Sequence, residues 1–206
     1  DENTISYRLF ESIPHSCRAV KCKDPAMLMK AVKNSAEIAC TKHAHIRDGA
    51  AVTRFIKWLK ANVSTDEITE ISAADYLWEE RRRQGAYDLS FDTIAGYGPH
   101  GAIIHYEAAP ETNAELKPEG FLLVDSGGQY EDGTTDITRT IALGPLTEEM
   151  KRCYTAVLKA HIALATTEFD AETTGRELDA IARKTLHAEG LDYKHGTGHG
   201  VGHMLS

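Results

Sequence analysis

The chain has 206 residues, of which 42% are hydrophobic and 26% charged, the usual balance of a soluble globular protein. This length is enough for one large domain whose core needs no disulfide bonds. The formal net charge of −8 argues against nucleic acid and against an anionic membrane as the main partner, because both select basic protein faces.

The start of the chain and its cysteines bear on the extent of the protein and on its cellular location. The sequence begins at Asp1 rather than Met, which we interpret as the start of an internal piece of a longer protein. No apolar run approaches the length of a membrane span, and no signal-peptide pattern opens the chain. The four cysteines lack CxxC spacing, which disfavours a zinc ribbon or redox motif and favours reduced thiols in a cytoplasmic protein.

The first part of the chain predicts an arm followed by helices. Residues 1–24 are mixed and poorly periodic, so we interpret them as a connecting arm with room for a short strand. From Pro25 to Ala61 the composition is helical. Ser72-Ala-Ala-Asp75 resembles a capping box and predicts the start of a charged helix that runs to about Gln84. The apolar residues of the first helical region form one stripe at helical spacing: Val52, Phe55, Ile56 and Leu59.

The later part predicts strands and then two more helices. Thr147, followed by two glutamates, caps a helix to about Glu168, and Thr174-Gly-Arg-Glu177 is a capping box for a helix that ends near Gly190. Early helices, antiparallel strands and late helices together make an α+β fold. Four runs rich in β-branched and aromatic residues are the predicted strands: Phe91–Ala95, Ile103–Tyr106, Phe121–Asp125 and Ile137–Leu143.

Two aspartates flank a predicted β-hairpin. Asp132-Gly133 is a turn signal, and folding the chain there brings Asp125 opposite or diagonal to Asp136. Because the signal lies off the ideal centre, this register needs a bulge. Like charges this close need a cation or a shared proton, which makes a metal site one reading. The other reading is that both are solvent-facing turn residues, as we expect for Asp132 and Glu131.

Three histidines near the end of the chain alternate with glycines in His195-Gly-Thr-Gly-His199-Gly-Val-Gly-His203. If this segment is an extended strand, all three histidines share one face and the other face is bare backbone. Such a face can bind a metal or transfer protons. A zinc site made from the histidines alone is a rival, but no cysteine or further ligand pattern accompanies it.

His105 follows the strand-like residues Ile103 and Ile104 and could point into a site. A half-buried strand histidine without a chemical role is the better reading of these residues taken alone. Nothing else in the local sequence assigns it a function.

Taken together, these motifs resemble the pita-bread metallopeptidases, and in particular the cytosolic-type aminopeptidase P group. The similarity covers most of the chain and includes several long strings. They are Lys30-Ala-Val-Lys-Asn-Ser-Ala-Glu37, Glu70-Ile-Ser-Ala-Ala-Asp75, Gly101-Ala-Ile-Ile-His105-Tyr, Val124-Asp-Ser-Gly, Asp132-Gly-Thr-Thr-Asp-Ile-Thr-Arg-Thr140 and His195-Gly-Thr-Gly-His-Gly-Val-Gly202.

The resemblance implies a duplicated α+β catalytic domain with helices outside a curved antiparallel sheet. It also implies a site with two divalent ions, usually manganese. Asp125 and Asp136 match the family's two aspartate ligands, and His199 matches its histidine ligand. His105 and His195 match two histidines that bind substrate and assist proton transfer. The implied activity is release of the N-terminal residue from peptides with proline second, by attack of a metal-bound hydroxide.

The resemblance also implies that the site is shared with sequence beyond Ser206, because the family's two glutamate ligands follow the histidine segment. We therefore expect residues 1–24 to be an arm or linker from a missing N-terminal domain. Residues 25–206 are then the first half and the start of the second half of the catalytic domain, incomplete at the C-terminus. His203 does not match the family's further histidine and is expected to be a packing or rim residue. The expected partners are an Xaa-Pro peptide, the C-terminal remainder of the domain and a second copy in a homodimer.

Three other functions are rivals on the same fold. Prolidase, which cleaves dipeptides, and methionine aminopeptidase have the same fold, and the string around His199 favours aminopeptidase P over both. A non-catalytic pita-bread module that binds peptides or histones is expected to have lost metal ligands. The presence of Asp125, Asp136 and His199 therefore favours an enzyme.

Overall fold

The structure is a computed structural model that describes Asp1 and residues 3–204. Within these residues the chain forms a helical first part, a group of antiparallel strands and a final pair of helices, which confirms the α+β prediction. The α-helices are α1 Tyr7–Glu11, α2 Pro25–Ala31, α3 Ser35–Asn62, α4 Glu70–Arg83, α5 Glu148–Ala165 and α6 Gly175–Ala188. The strands are β1 Asp88–Leu89, β2 Ile94–Tyr97, β3 Phe121–Ser126, β4 Gly128–Tyr130, β5 Gly133–Thr134 and β6 Ile137–Ala142.

The arm and the first helical region differ from the prediction. Asp1 and residues 3–24 contain the short helix α1 and no strand, and they are largely exposed. The helical region is broken between α2 and α3, where Val32 adopts an extended conformation. Asn34 then starts a new helix, because its side chain accepts from the Glu37 amide while Glu37 bonds back to the Asn34 amide.

The helix predicted to begin at Ser72 begins instead at Glu70. Thr69 is the N-cap, and Ser72 is the third helical residue, which completes a capping box with Thr69. The predicted N-cap, Ser72, was therefore wrong by three residues, whereas the predicted end near Gln84 is confirmed. The caps predicted at Thr147 for α5 and at Thr174 for α6 are confirmed as well.

The main sheet has three antiparallel strands in the order β2-β3-β6. Along β3, Leu122, Val124 and Ser126 are buried and alternate with partly exposed residues, so one face of the strand meets the core. The predicted strand Ile103–Tyr106 is wrong. A 3₁₀ turn, Gly98–Ala102, with Pro99 near its start, precedes these residues, and they lie outside the sheet.

The core lies between this sheet and the helices α3 and α4. The predicted stripe of α3 is confirmed, since Val52, Phe55 and Leu59 are buried and Ile56 packs against them. Burying each of these side chains contributes about 1.5–3 kcal/mol relative to leaving it exposed. This packing fixes the sheet on its helices and leaves the opposite face of the sheet open.

A buried ion pair joins the helices to the hairpin. The Arg81 guanidinium on α4 donates to both carboxylate oxygens of Asp48 on α3, at 2.6 and 3.1 Å, and neither side chain is exposed. The Tyr130 hydroxyl on β4 donates to the same carboxylate over 3.1 Å. Burial and the Asp48 charge raise the pKa of Tyr130, so the hydroxyl keeps its proton and remains a donor.

The last two helices pack on each other through small residues. Ala156 and Ala160 of α5 and Leu186 of α6 are buried in their contact. A second apolar face of α5 remains exposed and includes Tyr154, Val157, Leu158 and Ile162. In the described part of the chain, none of the helices is both long and apolar enough to cross a membrane.

Candidate metal centre

Asp125 lies on the open face of the main sheet. It is the last outward-facing residue of β3, between Ile94 on β2 and Thr138 on β6. The Thr138 hydroxyl donates to one Asp125 carboxylate oxygen over 2.6 Å, which orients the side chain. The Asp125 side chain also contacts the side chain of Asp136.

Asp136 lies just before β6, on the same face. Asp125 pairs with Thr138, so Asp136 occupies the position diagonal to Asp125, as the sequence predicted. The bulge expected for this register is not needed. The inner strands β4 and β5 continue the register of β3 and β6, and Glu131-Asp132 forms the turn one residue earlier than predicted.

The hairpin narrows beside Asp136. At Gly127 an added Cβ would lie 1.9 Å from the Thr135 carbonyl oxygen, so only glycine allows the two chains to come this close. The Thr135 hydroxyl bonds the Gly128 amide at 2.9 Å, and the Ser90 hydroxyl donates to the Thr135 carbonyl at 2.8 Å. These bonds fix the residue before Asp136 and thereby the direction of its side chain.

The electrostatics of the pair are those of two carboxylates in contact. Burial raises the pKa of Asp136 above its ordinary value, and the neighbouring charge of Asp125 raises it further. The nearby imidazoles of His199 and His45 oppose this shift. A divalent cation bound between the carboxylates would relieve the same repulsion.

The histidine-rich segment is not the strand that the sequence predicted. Residues 195–201 form a largely exposed loop, although His195 and His199 still border the same cleft. A strand needs a partner for its backbone groups, and glycine gives this segment little conformational preference of its own. His203 is exposed, as expected for a rim residue.

The two cleft histidines have defined tautomers. The Nδ1 atom of His199 lies 2.9 Å from the Gly200 carbonyl oxygen, and that of His195 lies 2.7 Å from the Gly196 carbonyl oxygen. Because a carbonyl only accepts, each Nδ1 carries a proton, so Nε2 is the nitrogen of each ring that could bind a metal. The His199 Nε2 atom is 3.4 Å from a carboxylate oxygen of Asp136.

Arg183 on α6 anchors the histidine segment. Its guanidinium donates to the His195 carbonyl at 2.9 Å and to the Tyr193 carbonyl at 2.6 Å, and it also pairs with Asp179. The Thr197 hydroxyl bonds the other carboxylate oxygen of Asp179. The segment between His195 and His199 is therefore held at two points by one helix.

His105 borders the cleft from the other side, on the chain that follows the 3₁₀ turn. Its φ of 55° lies in the left-handed region, which costs a non-glycine residue about 1–2 kcal/mol. Tyr106, the next residue, is buried. The turn is thus held by its surroundings against a local preference, and the His105 side chain stays exposed.

All five predicted site residues border one open cleft of about 550 Å³. Apolar side chains complete its walls: Ile94, Ile103, Ile104, Leu123 and Val201. Among the described residues, no three His, Cys, Asp or Glu side chains converge as a finished metal cage. Asp125, Asp136 and His199 nevertheless offer two carboxylates and one free imidazole nitrogen, an oxygen-rich set that suits manganese or magnesium.

No local pattern in the sequence assigns a role to the residues that support the cleft. Arg183 and Asp179 look like an ordinary helical i, i+4 pair, and Glu70 looks like an acidic residue in the first turn of a helix. Their contacts with the cleft segments span 12 to 44 positions along the chain. Only the folded chain brings those contacts together.

Comparisons with known proteins place this chain in a family. The model of metallopeptidase family M24 matches residues 39–206, so the chain belongs to that family. A probable Xaa-Pro aminopeptidase P of Laccaria bicolor is 48% identical over 186 residues, which cover 89% of this chain and 29% of that protein. This chain therefore spans less than a third of that relative.

Solved structures show the same fold. The X-prolyl aminopeptidase of Caenorhabditis elegans, described as a cytosolic enzyme with a di-nuclear active site, matches with a TM-score of 0.85 and 40% identity. The match covers 88% of this chain and 30% of that enzyme. The prolidase from Pyrococcus furiosus matches with a TM-score of 0.82 and 27% identity, over 97% of this chain and 58% of that one. The predicted resemblance to aminopeptidase P and the pita-bread fold are confirmed.

Proposed function

We propose that the protein carrying this chain is a metal-dependent exopeptidase that releases the N-terminal residue from peptides with proline at the second position. The observation that carries the proposal is the convergence of His105, Asp125, Asp136, His195 and His199 on one cleft. The relatives named Xaa-Pro aminopeptidase give the substrate class. The apolar walls of the cleft suit a proline ring, because a bound ring would remove their apolar surface from water.

We assign Asp125, Asp136 and His199 as ligands of two divalent ions, and manganese as the metal. The di-nuclear site of the C. elegans enzyme and the oxygen-rich donors of this cleft support the assignment. When bound, such ions supply an activated water and polarise the scissile carbonyl. The Thr138 hydroxyl orients Asp125 for this purpose, and the Gly200 carbonyl fixes the His199 tautomer.

His105 and His195 are assigned to substrate binding and proton transfer. Both side chains border the cleft, and neither is assigned as a metal ligand. The free Nε2 atom of His195 can accept a proton or, once protonated, donate to an oxyanion. The exposed position of His105 leaves it open to a peptide that enters from solvent.

We propose that another segment of the same protein completes the domain and supplies two glutamate ligands, one of them the general base. In this assignment residues 1–24 are an arm from an N-terminal domain, and residues 25–206 are the first half and the start of the second half of the catalytic domain. The exposed apolar face of α5, with Tyr154, Val157 and Ile162, supports a further covering layer. A cytoplasmic location and a homodimer complete the proposal.

The experiment is hydrolysis by the complete protein of three matched peptides: Xaa-Pro-Xaa, Xaa-Ala-Xaa and the dipeptide Xaa-Pro. We expect cleavage of the first alone, loss of activity after chelation and recovery with manganese. Cleavage restricted to the dipeptide would identify a prolidase. Tight binding of a peptide or histone tail without turnover in manganese would identify a non-catalytic module and refute the proposal.

A further inference from the structure

A buried carboxylate lies behind the turn that carries His105. Glu70, the first residue of α4, has no exposed surface. One of its oxygens accepts from the Tyr97 amide at 2.7 Å and from the His100 ring at 2.8 Å. The other accepts from the Tyr106 hydroxyl at 2.9 Å and from the Ala114 amide at 3.0 Å. Four donors from separate segments thus meet on one side chain.

These donors surround the His105 turn on both sides. His100 lies in the 3₁₀ turn before His105, and Tyr106 follows His105 directly. The rings of His100 and Tyr106 stack with centroids 4.5 Å apart. The side chains of His100 and Tyr106 therefore lie on either side of His105 in sequence, stack on each other and bond the same acceptor, Glu70. These contacts hold the left-handed backbone of His105.

We propose that Glu70 is a positioning residue for His105, acting through Tyr106 and His100 to hold the turn on which His105 borders the cleft. The inference rests on the proposed function for its kinetic consequences. Glu70 itself cannot meet the substrate, because it is fully buried beneath the turn.

The four hydrogen bonds to Glu70 suit a carboxylate. All four partners are donors, and only a group that is purely an acceptor can satisfy all of them together. Burial is the main cause of a raised pKa at Tyr106, and the Glu70 charge adds to it, so the hydroxyl remains protonated and donates. The same hydroxyl lies 3.2 Å from the Thr112 hydroxyl, and this contact connects Tyr106 to the loop that follows it.

The test uses Tyr106→Phe in the complete, manganese-loaded protein. This change removes one donor to Glu70 and keeps the ring that stacks on His100. Tyr97→Phe is the matched control, because it removes a hydroxyl that donates to the Glu119 carbonyl and leaves the Tyr97 amide on Glu70. We expect kcat/KM on an Xaa-Pro peptide to fall roughly tenfold or more in Tyr106→Phe alone, as small displacements of reacting groups do. Metal content should not change.

Two further readouts separate positioning from general destabilisation. Combined with His105→Ala, Tyr106→Phe should cause no additional loss of kcat/KM, because the residue that it positions is gone. Hydrogen exchange at residues 103–107 should rise in Tyr106→Phe and not in Tyr97→Phe. An equal loss in both backgrounds, or exchange that does not change, would overturn the inference. The exchange result stands even if the wild-type protein cleaves no Xaa-Pro peptide, in which case the proposed function fails and the positioning role survives.

Discussion

Asp125 and Asp136 lie diagonally across an antiparallel pair of strands, with Asp136 two residues before Thr138, the direct partner of Asp125. Their side chains share the open face of the sheet, and the charge of Asp125 adds to burial in raising the pKa of Asp136. The arrangement is unfavourable for the protein alone and favourable for a cation.

Asp125→Asn should stabilise the metal-free protein and weaken its metal binding. The amide keeps an oxygen for the Thr138 hydroxyl and removes the repulsion with Asp136, which is worth up to about 1 kcal/mol. Loss of a charged ligand should lower manganese affinity by at least about tenfold. Denaturant unfolding in chelator and in manganese measures both effects. Asp75→Asn, an exposed change on α4, is the control, and a variant less stable without metal would contradict the prediction.

Arg183→Lys should loosen the histidine segment and leave α6 folded. Lysine cannot reproduce the planar fork that reaches the His195 and Tyr193 carbonyls and Asp179 together. We expect faster hydrogen exchange at residues 194–200 and a fall in metal affinity of about 10–100-fold, as for other residues that support ligands. Arg176→Lys, an exposed change on the same helix, should have neither effect. Unchanged exchange in Arg183→Lys would show that the segment is held by other means.

Breaking the buried pair of Asp48 and Arg81 should destabilise the fold strongly. Arg81→Met leaves the Asp48 carboxylate buried without its cation, which costs about 3–5 kcal/mol. Adding Asp48→Leu should recover most of that loss, because the uncompensated charge is then removed. Unfolding free energies of both variants measure this, and a double variant no more stable than Arg81→Met would refute the electrostatic explanation.

Asp132 in the hairpin turn should contribute stability that depends on pH. Burial alone would raise its pKa, but the hydrogen bond from His43 and the charge of Arg47 outweigh burial and hold the pKa below its ordinary value. A lowered folded pKa gives stability that is present above about pH 4 and lost as the pH falls through the folded value.

Asp132→Asn should therefore lower the unfolding free energy by about 1 kcal/mol between pH 5 and 7, the upper range for a partly exposed pair. The difference from wild type should shrink below about pH 4. A difference that grows on acidification would have the wrong sign. Asp75→Asn again serves as the control, because its carboxylate is exposed on α4.

Local signals predicted most of the fold. The capping residues of α5 and α6, the apolar stripe of α3 and the alternation along β3 each act within a few positions of the chain. The diagonal placement of Asp125 and Asp136 followed from the hairpin alone. The candidate site could be predicted to the extent that its residues lie in such motifs, with His105 and His195 identified through the family resemblance.

The errors have physical causes. Ile103 and Ile104 have strand propensity, but they follow a 3₁₀ turn and stay more than half exposed beside the cleft, because tertiary context outweighs weak local preference. The histidine segment has strand-like alternation without a neighbouring strand in the described residues. The roles of Glu70 and Arg183 depend on contacts between distant segments, which no local pattern encodes.

Metal content tests the central claim, which is that Asp125, Asp136 and His199 hold a di-metal site while His105 and His195 serve the substrate. The measurement is manganese bound per chain in the complete protein, at equal free manganese, for wild type, His199→Ala, His195→Ala and His105→Ala. We predict two ions in wild type and in the last two variants, whose kcat should fall by roughly 10²–10⁴-fold. His199→Ala should lose metal. Undiminished manganese in His199→Ala would contradict the account.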